Sequence, residues 1–507
     1  MLKSKNHIKA GAILSYIGIF TNIVLGLIYT PWMINCIGQS NYGLYTLANS
    51  LITLFMVDFG LSAATSRYVA KFRTENDQEG LKRFLSTVYK LYLIIDAFIF
   101  LILLVIFFNI DGIYSNLARE EIDKLKLVFC IAGAYSLISF PCVTFNGILT
   151  AYEEFIPLKV ADLVYRISVV FFTAILLLLG GGLYTVVITH ALCGLGLNTI
   201  KYCYVRKSIN FPIRIHPGES SNHSLYTELF GFSLWTTLTS LANRLIFNIS
   251  PSILGMVYAG ASGAIAVFGI ISTIEGYVYT ITTALNGMFL SQITRITHHK
   301  ETSRTELTKL TTNVGRFQFL INGIIVVGFA IVGREFISLW MGDYYSDAYY
   351  GILLIILPGL FFNSLQIANT AMVVKKLVKY QAFVAIVTGV CNVLLSVFLS
   401  HRWGVIGASA SICLAYFLRV ILNLIVIRAK LDIDLAGFIK NCHLKLSIPV
   451  IIALGVGYYV VRGLPSGSWF FFGLKVLIVS VIYAVSVAIF GLTASERTAI
   501  FRRCSRI

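Results

Sequence analysis

No charged side chain occurs between Ala10 and Val57, along the stretch AGAILSYIGIFTNIVLGLIYTPWMINCIGQSNYGLYTLANSLITLFMV. A hydrocarbon core about 30 Å thick is crossed by about 20 helical residues, since an α-helix rises about 1.5 Å per residue. The stretch is more than twice that length. It therefore predicts two membrane-spanning helices joined by a short turn, with Asp58 the first charged residue after it.

The whole chain continues this apolar character. Of its 507 residues, 57% are hydrophobic and 12% are charged, whereas a soluble domain carries about 25% charged residues. One water-soluble core could not bury so much apolar surface, so the surplus must face lipid. This excludes an ordinary soluble enzyme and predicts an all-α polytopic membrane protein with about fourteen transmembrane helices. The predicted spans are 10–30, 44–64, 86–108, 127–149, 160–180, 183–203, 229–250, 262–290, 316–334, 350–373, 380–400, 404–427, 445–462 and 469–492.

The charge distribution predicts the orientation. The formal net charge is +17, from 40 Lys and Arg against 23 Asp and Glu. In a soluble protein this excess would suggest a nucleic-acid partner, but in a membrane protein basic residues collect on cytoplasmic loops. With a cytoplasmic N-terminus, the basic residues left on outer loops are only Arg119, Lys124, Lys126, Arg334, Arg402 and Arg462. We therefore expect both termini to be cytoplasmic and no nucleic acid to be bound.

Signatures of metal, disulfide and nucleotide sites are missing from the sequence. The nine cysteines form no CxxC pair and lie almost all in predicted spans or on the cytoplasmic side, so neither a disulfide framework nor a zinc site is predicted. The sequence also lacks an HExxH motif and a GxxxxGKS/T phosphate loop. We therefore expect no cofactor and no metal.

An internal duplication is indicated by residues that recur at a nearly constant offset. At an offset of 220, Gly11, Pro31 and Gly43 recur as Gly231, Pro251 and Gly263. At an offset of 217, Pro141, Phe145, Asn146 and Ala151 recur as Pro358, Phe362, Asn363 and Ala368. At an offset of 222, Gly182 recurs as Gly404, and the three sets follow in chain order. This predicts two six-helix lobes, residues 1–215 and 216–430, followed by two extra transmembrane helices and a basic cytoplasmic tail in residues 431–507. Lobes of six helices each have the same orientation in the membrane and are related by an axis along its normal, as in alternating-access transporters.

Pro141 and Pro358 occupy equivalent places in the predicted fourth and tenth spans. Proline lacks a backbone N–H, so we expect it to break both helices. Such breaks are tolerated in a membrane where the freed backbone groups face protein or a water-filled cavity. The sequence leaves open whether these two breaks line a cavity or are simple kinks.

Ionisable side chains inside predicted spans each cost about 2.5–3.5 kcal/mol on insertion scales, so they tend to face a cavity or a partner. They are Asp58, Lys90, Asp96, Asp162, Arg166, His190, Arg244, Glu275, Arg419 and Lys475. Asp162 and Arg166 are one turn apart and can pair with each other. Arg244 and Glu275 lie deep within consecutive spans and are the leading functional candidates.

Two roles are open for this last pair of residues. A buried Arg presents a planar fork suited to phosphate, and a buried Glu can carry a coupling proton. The alternative is a structural ion pair between Arg244 and Glu275.

A family resemblance is carried by the segment Gly38-Gln-Ser-Asn-Tyr42-Gly43-Leu44-Tyr45, followed by Asp58-Phe-Gly60-Leu and by Ala64, Arg67 and Ala70. It resembles the first two helices of the polysaccharide-transporter branch of the multidrug/oligosaccharidyl-lipid/polysaccharide exporter superfamily, the Wzx-type flippases. The segment Gly404-Val-Ile-Gly407-Ala408-Ser-Ala410 at the start of the twelfth span also looks like this family. The likeness extends over most of the chain.

The resemblance implies a flippase that moves undecaprenyl-diphosphate-linked oligosaccharide repeat units from the cytoplasmic to the outer leaflet of the bacterial inner membrane. The product would be O-antigen or a related surface polysaccharide, and the partners would be this lipid-linked substrate, membrane lipid, a polysaccharide polymerase and a chain-length regulator. The family has a cavity lined with basic residues that meet the diphosphate or acidic sugars. The candidates here are Arg244, Arg166, Arg419 and, at the inner mouth, Arg67.

The resemblance also implies alternating access driven by an ion gradient, with H⁺ or Na⁺ as the coupling ion. Glu275, Asp58 and Asp96 are the candidate carboxylates. Asp58 could instead organise the inner end of the second helix beside Arg67.

Three alternatives remain open. A multidrug extrusion antiporter of the same superfamily would share the fold, but usually has twelve spans and an acidic pocket. A peptidoglycan-precursor flippase would also have fourteen spans. A membrane-embedded polysaccharide polymerase would carry catalytic residues on a long outer loop, whereas the largest predicted outer loop, about 109–126, is short.

Overall fold

The computed structural model describes residues 2–207, 223–284, 286–298, 303–431 and 433–492. Within these ranges every regular element is a helix. Helices satisfy their own backbone hydrogen bonds, which is what a segment surrounded by lipid requires. The prediction of an all-α polytopic membrane protein is confirmed.

Two compact units divide the chain, unit 1 from Met1 to Gly269 and unit 2 from Ile270 to Ile507. The helices up to the boundary are α1 (Leu2–Ile37), α2 (Gln39–Phe55), α3 (Leu61–Glu75), α4 (Gln78–Ile113), α5 (Arg119–Ser139), α6 (Thr144–Ala151), α7 (Phe155–Leu178), α8 (Leu183–Lys207), α9 (His223–Phe247), α10 (Ser250–Val257) and α11 (Ala261–Thr283), which runs across it. In unit 1, α1 packs on α7, α2 on α5, α3 on α6, and α8 on α5 and α7.

Unit 2 is arranged around one long helix. After α11 follow α12 (Leu290–His298), α13 (Ser303–Met341), α14 (Ser346–Ile356), α15 (Gly359–Asn363), α16 (Gln366–Val374), α17 (Val378–Lys430), α18 (Leu435–Phe438), α19 (Lys445–Val461) and α20 (Trp469–Ser486). Helix α13 contacts α12, α14, α15, α16, α19 and α20. It therefore holds the unit together.

Eleven of the described helices are long and apolar enough to cross a membrane, against about fourteen predicted. The predicted second span, 44–64, is divided into α2 and α3 by a turn in which Phe59 and Gly60 have φ of 52° and 69°. The predicted seventh span, 229–250, corresponds to α9, and the short helix α10 follows it after a turn at Asn248. The eleventh and twelfth predicted spans, 380–400 and 404–427, are two helices that meet at a kink at Gly404 within α17.

Gly404 explains how one run can contain two spans. Helix α17 has 53 residues, and within it Gly404 has φ 52° and ψ −126°. This conformation is unfavourable for residues with a Cβ, so the glycine permits a sharp kink between two helices. Gly407 follows in the next turn, where a Cβ would overlap the backbone of Leu399. The two halves of α17 therefore approach each other closely at the kink.

In unit 1, α2 and the first turn of α11 meet backbone to backbone. A Cβ added to Gly43 would overlap the carbonyl oxygen of Ser262. One to two turns further along α2, the Ser50 hydroxyl donates a hydrogen bond of 2.8 Å to the carbonyl of Asn248. That carbonyl lies at the break between α9 and α10. The contact therefore packs α2 against this break and supplies a hydrogen-bond donor to its free carbonyl.

The N-terminal half of α13 is bonded to the segments next to α19 and α20 through Arg316, which is 2% exposed. Its guanidinium donates to the carbonyl of Gly491 at 2.7 Å and to the carbonyl of Asn441. Both carbonyls lie in π-helical segments, Ile439–Leu444 and Val487–Gly491, which adjoin α19 and α20. One side chain therefore holds both helices to α13.

The C-terminal end of α13 is bonded to α20 by an ion pair. Lys475 Nζ lies 2.7 Å from Glu335 Oε2, and the two side chains are 4% and 14% exposed. Lys475 also donates to Ser466 Oγ at 2.8 Å, and Gly467 N donates to Glu335 Oε1 at 3.1 Å. This arrangement accounts for the intramembrane lysine of the sequence.

We expect Lys475→Met to lower the stability of the purified protein by about 3–5 kcal/mol, because it leaves Glu335 buried without its counter-charge. Adding Glu335→Leu should recover much of the loss, since no charge is then left unpaired. The thermal midpoint of unfolding in detergent measures both effects. Equal midpoints for Lys475→Met and the wild type would show that the pair does not hold α20 to α13.

Gly43→Val should lower the thermal midpoint, because the new side chain separates α2 from α11 at their closest point. Gly18→Val is the matched control, since nothing lies within 4 Å of a Cβ at that helical glycine. A larger loss in Gly18→Val than in Gly43→Val would contradict this account of the helix contact.

Candidate functional site

The predicted helix breaks at Pro141 and Pro358 are confirmed. Phe140–Val143 is a 3₁₀ turn between α5 and α6, and Pro358 lies between α14 and α15. In unit 1 the Thr144 hydroxyl donates to the carbonyl of Pro141 at 2.9 Å. In unit 2 the Asn322 amide donates to the carbonyl of Gly359 at 3.4 Å. Each break therefore receives a side-chain donor.

Asp58 is fully engaged in local structure. Its Oδ1 accepts a hydrogen bond of 2.5 Å from Tyr92, and its Oδ2 accepts one of 3.1 Å from Ser62 N. The second bond satisfies an N–H in the first turn of α3, where helices lack internal acceptors. Tyr92 is fully buried, so the carboxylate also pairs a phenol that has no access to water.

The other candidates in unit 1 differ in their surroundings. Arg67 and Arg166 are exposed, and the Arg67 guanidinium lies 5.9 Å from the Tyr68 ring centroid. Asp96 is half-buried, and its Oδ1 is buried without a hydrogen-bond partner among the described residues. Arg244 is also half-buried, and its Nη1 has no hydrogen-bond partner among the described residues. Asp96 and Arg244 are therefore the unit 1 candidates with unused hydrogen-bonding capacity.

Asp162 does not use Arg166 as its partner. Its Oδ1 lies 2.8 Å from Lys201 Nζ, on α8. The same ammonium donates to Asn146 Oδ1 at 3.0 Å, on α6 just after the Pro141 break. The predicted pair within α7 is replaced by a contact among three helices, because Lys201, only 6% exposed, needs acceptors. The sequence signal for it was Asn146, part of the repeated proline motif.

Unit 2 surrounds Arg419 with aromatic rings. The Arg419 Cζ lies 4.9 Å from the ring centroid of Phe362 and 5.8 Å from that of Tyr416. These two rings meet edge to face, with centroids 5.2 Å apart. The Pro358 break positions Phe362 on α15, while Arg419 and Tyr416 are nearly one turn apart on α17. Arg419 Nε is buried and has no hydrogen-bond partner among the described residues.

Glu275 belongs to the same constellation. Tyr279, one turn further along α11, and Tyr416 are each within electrostatic range of both Glu275 and Arg419. Two residues that are 144 positions apart in the sequence therefore act electrostatically on the same two tyrosines. We call Glu275, Tyr279, Phe362, Tyr416 and Arg419 the Arg419 constellation. Sequence analysis found Phe362 only as part of the repeated proline motif, and it did not identify Tyr279 and Tyr416, which lie one turn from Glu275 and Arg419.

This geometry can bind an anion. A guanidinium in contact with aromatic faces is partly stabilised by cation–π attraction, yet its unused N–H still needs an acceptor. A phosphate or carboxylate matches the planar fork of arginine better than a single-atom acceptor does. The nearby carboxylate of Glu275 adds a group that can exchange ions or accept hydroxyl donors.

Comparison with solved structures identifies the fold. The lipid II flippase MurJ in an inward closed conformation has a TM-score of 0.72 at 15% identity, over 96% of this chain and 98% of that chain. An inward-facing multidrug resistance MATE transporter of the MOP superfamily has a TM-score of 0.68 at 13% identity, over 85% and 99%. A mutant of the Vibrio cholerae MATE transporter VcmN has 0.57 at 13%, over 85% and 99%. The fold is that of MOP-superfamily transporters.

A family model narrows this class. The model described as "Polysaccharide biosynthesis protein" matches residues 8–293, more than half of the 507 residues. The chain belongs to this family, in agreement with the resemblance found in the sequence. No curated protein matches it by sequence.

We expect Asp58→Ala to destabilise the protein by about 1–3 kcal/mol, because the buried Tyr92 hydroxyl loses its carboxylate acceptor. Tyr92→Phe in the Asp58→Ala background should recover much of the loss, since the orphaned hydroxyl is then removed. Thermal unfolding of the four proteins in the cycle measures the coupling. If the two substitutions are simply additive, Asp58 does not act through Tyr92.

Proposed function

We propose that this protein is a flippase that moves undecaprenyl-diphosphate-linked oligosaccharide repeat units from the cytoplasmic to the outer leaflet of the bacterial inner membrane. The product of the pathway is O-antigen or a related surface polysaccharide. The observation that carries the proposal is the Arg419 guanidinium, held among aromatic rings on membrane helices with its Nε buried and unpaired.

The physical argument starts from the energy of a charge in hydrocarbon. An arginine at the centre of a membrane helix costs about 2.5–3.5 kcal/mol on insertion scales, and such residues line substrate or ion pathways. The diphosphate of a lipid-linked sugar supplies the negative oxygens that the guanidinium lacks. Arg419 is therefore the proposed diphosphate ligand of unit 2 and Arg244 a separate candidate ligand in unit 1, with the exposed Arg166 and Arg67 as weaker contributors.

Ion-coupled alternating access is the proposed energy source. Glu275 and Asp96 are the proposed coupling carboxylates, because Asp58 is held by Tyr92 and Ser62. Both termini are proposed to be cytoplasmic, from the distribution of Lys and Arg. A polysaccharide polymerase and a chain-length regulator are the proposed partners, since the flipped repeat is their substrate.

The share of this chain that each structural match covers favours a flippase over a drug antiporter. The match to MurJ covers 96% of the chain, whereas the matches to MATE transporters cover 85%. The buried, unpaired N–H of Arg419 points the same way, because it needs a hydrogen-bond acceptor and would repel a cationic drug. These observations support a lipid-linked anionic substrate.

The first experiment locates the substrate in cells that lack the protein. We expect repeat units linked to undecaprenyl diphosphate to accumulate on the cytoplasmic leaflet, measured with a membrane-impermeant sugar label on right-side-out and inverted vesicles. Re-expression should return the label to the outer leaflet. Normal transfer in the absence of the protein would refute the flippase function.

Arg419→Gln should reduce leaflet transfer by tenfold or more, since a hydrogen bond to a charged group contributes about 1.5–3 kcal/mol. Arg419→Lys should recover only part of it, because an ammonium lacks the planar fork. Arg402→Gln is the matched control: Arg402 is exposed, lies on the same helix and has its Cζ 5.3 Å from the Phe398 ring centroid. Equal transfer by the Arg419→Gln and Arg402→Gln variants, at equal expression, would remove Arg419 from the substrate path.

A further inference from the structure

Four lysines lie at the two ends of α17 in unit 2. Lys375 and Lys376 are in the turn between α16 and α17, Lys379 is in the first turn of α17, and Lys430 is its last residue. The orientation proposed above places both ends of α17 on the cytoplasmic side of the membrane. We call these four residues the lysine cluster.

Tyr380 brings the two ends of the helix together. Lys379 Nζ lies 5.1 Å and Lys430 Nζ 4.8 Å from the centroid of its ring, and its hydroxyl interacts with both ammonium groups. These ends meet because the kink at Gly404 lets the second half of α17 run back along the first. Two ammonium groups beside one ring repel each other, and an anion that contacts both offsets this repulsion.

Carboxylates do not neutralise the lysine cluster within the part of the chain that the structure describes. None of the ion pairs found there involves any of the four lysines. The next described carboxylate along the chain, that of Asp434, accepts a hydrogen bond of 3.1 Å from Gly437 N and caps α18. The cluster therefore presents positive charge that a ligand can neutralise.

The backbone of this turn does not require lysine, since unit 1 has the same turn with acidic residues. There the turn joins α6 to α7, and Glu153 has φ 60°, where Lys376 has φ 58°. Glu153 N donates to the carbonyl of Thr150 at 3.1 Å, and Lys376 N donates to that of Val373 at 3.0 Å. The same local fold thus carries opposite charges in the two units, so the positive charge in unit 2 serves another purpose than forming the turn.

Exposed apolar side chains lead up to the lysine cluster along both halves of α17. They include Phe383 and Leu394 in the first half and Ile421 and Ile425 in the second. In a membrane such side chains contact lipid acyl chains, while Tyr and Lys at the end of a span lie at the level of the headgroups. A ligand with an anion at this level and apolar chains below it is an anionic phospholipid, and lysine clusters next to a span attract such headgroups.

We propose that the lysine cluster binds the phosphate of an anionic phospholipid in the cytoplasmic leaflet, and that the bound lipid links the two ends of α17. Lys379 and Lys430 contact the phosphate, and Lys375 and Lys376 add electrostatic attraction from the turn. This inference goes beyond the proposed function. It uses the proposed orientation in the membrane and does not depend on which molecule is transported.

Binding of fluorescent phosphatidylglycerol to the purified protein, in micelles of detergent and phosphatidylcholine, tests the site. We expect saturable binding by the wild type, weakened about fivefold by Lys379→Gln or Lys430→Gln and tenfold or more by both together. Lys71→Gln with Lys82→Gln is the matched control, because these exposed lysines on α3 and α4 lie on the same proposed side of the membrane. Equal weakening in this control would show only a diffuse surface charge and would overturn the site.

Two competitors in the same assay distinguish a lipid from other anions. Inorganic phosphate and a hexaglutamate peptide are each titrated at constant ionic strength. We expect neither to displace phosphatidylglycerol at micromolar concentration, because neither has acyl chains to contact the apolar face of α17. Displacement by phosphate would assign the cluster to a soluble anion, and displacement by the peptide to an acidic protein partner. Either result would overturn the lipid site.

Thermal unfolding tests whether the lipid links the ends of α17. Phosphatidylglycerol should raise the midpoint of the wild type above that in phosphatidylcholine alone, because a ligand that binds only the folded state stabilises it. The variant that combines Lys379→Gln and Lys430→Gln should show a smaller rise. An equal rise in both proteins would overturn the linking role.

Lys376→Gly separates the charge of the turn from its backbone. Glycine adopts positive φ readily, so this variant should fold as well as the wild type while it binds phosphatidylglycerol about fivefold more weakly. Glu153→Gly makes the same backbone change in the equivalent turn of unit 1 and should leave lipid binding unchanged. Equal lipid binding by the two variants would contradict a contribution of the turn to the site.

Discussion

Water is absent from the hydrocarbon core of a membrane, so a backbone carbonyl that leaves its helix there needs a donor from another part of the protein. Side chains supply such donors repeatedly in this structure. Ser50 donates to Asn248 between α9 and α10, and Asn322 donates to Gly359 after the Pro358 break. Arg316 does the same for the π-helical segments next to α19 and α20. The irregular backbone and the polar side chains of the core therefore depend on each other.

The same constraint separates structural polar residues from functional candidates. Asp58, Lys201 and Lys475 have partners for their charges, and their contacts explain why they are tolerated within the membrane region. Arg244 and Arg419 each keep a buried N–H without a partner among the described residues. A buried group with unused capacity is unfavourable in the empty protein and becomes favourable when a ligand binds. This difference, rather than charge alone, singles out the arginines proposed to meet the diphosphate.

Much of the architecture was predictable because its causes are local. Apolar runs of sufficient length predicted most spans, and Pro141 and Pro358 predicted the two helix breaks. The predicted boundary between the eleventh and twelfth spans is correct, because Gly404 leaves the helical conformation there. The errors also have local explanations. The span predicted over 44–64 is divided because Phe59 and Gly60 adopt positive φ. Hydropathy averages over such single-residue changes, so it could not place this division.

The sequence by itself determined that this is a helical membrane protein, where most of its spans lie along the chain, and which ionisable residues lie within them. These properties follow from the hydropathy and backbone preferences of neighbouring residues. Only the tertiary structure decided that Asp162 pairs with Lys201, that Glu335 pairs with Lys475, and that Arg419 lies among aromatic rings with Glu275 nearby. Each of these contacts joins residues on different helices. Its geometry depends on how those helices pack, which no local pattern of residues specifies.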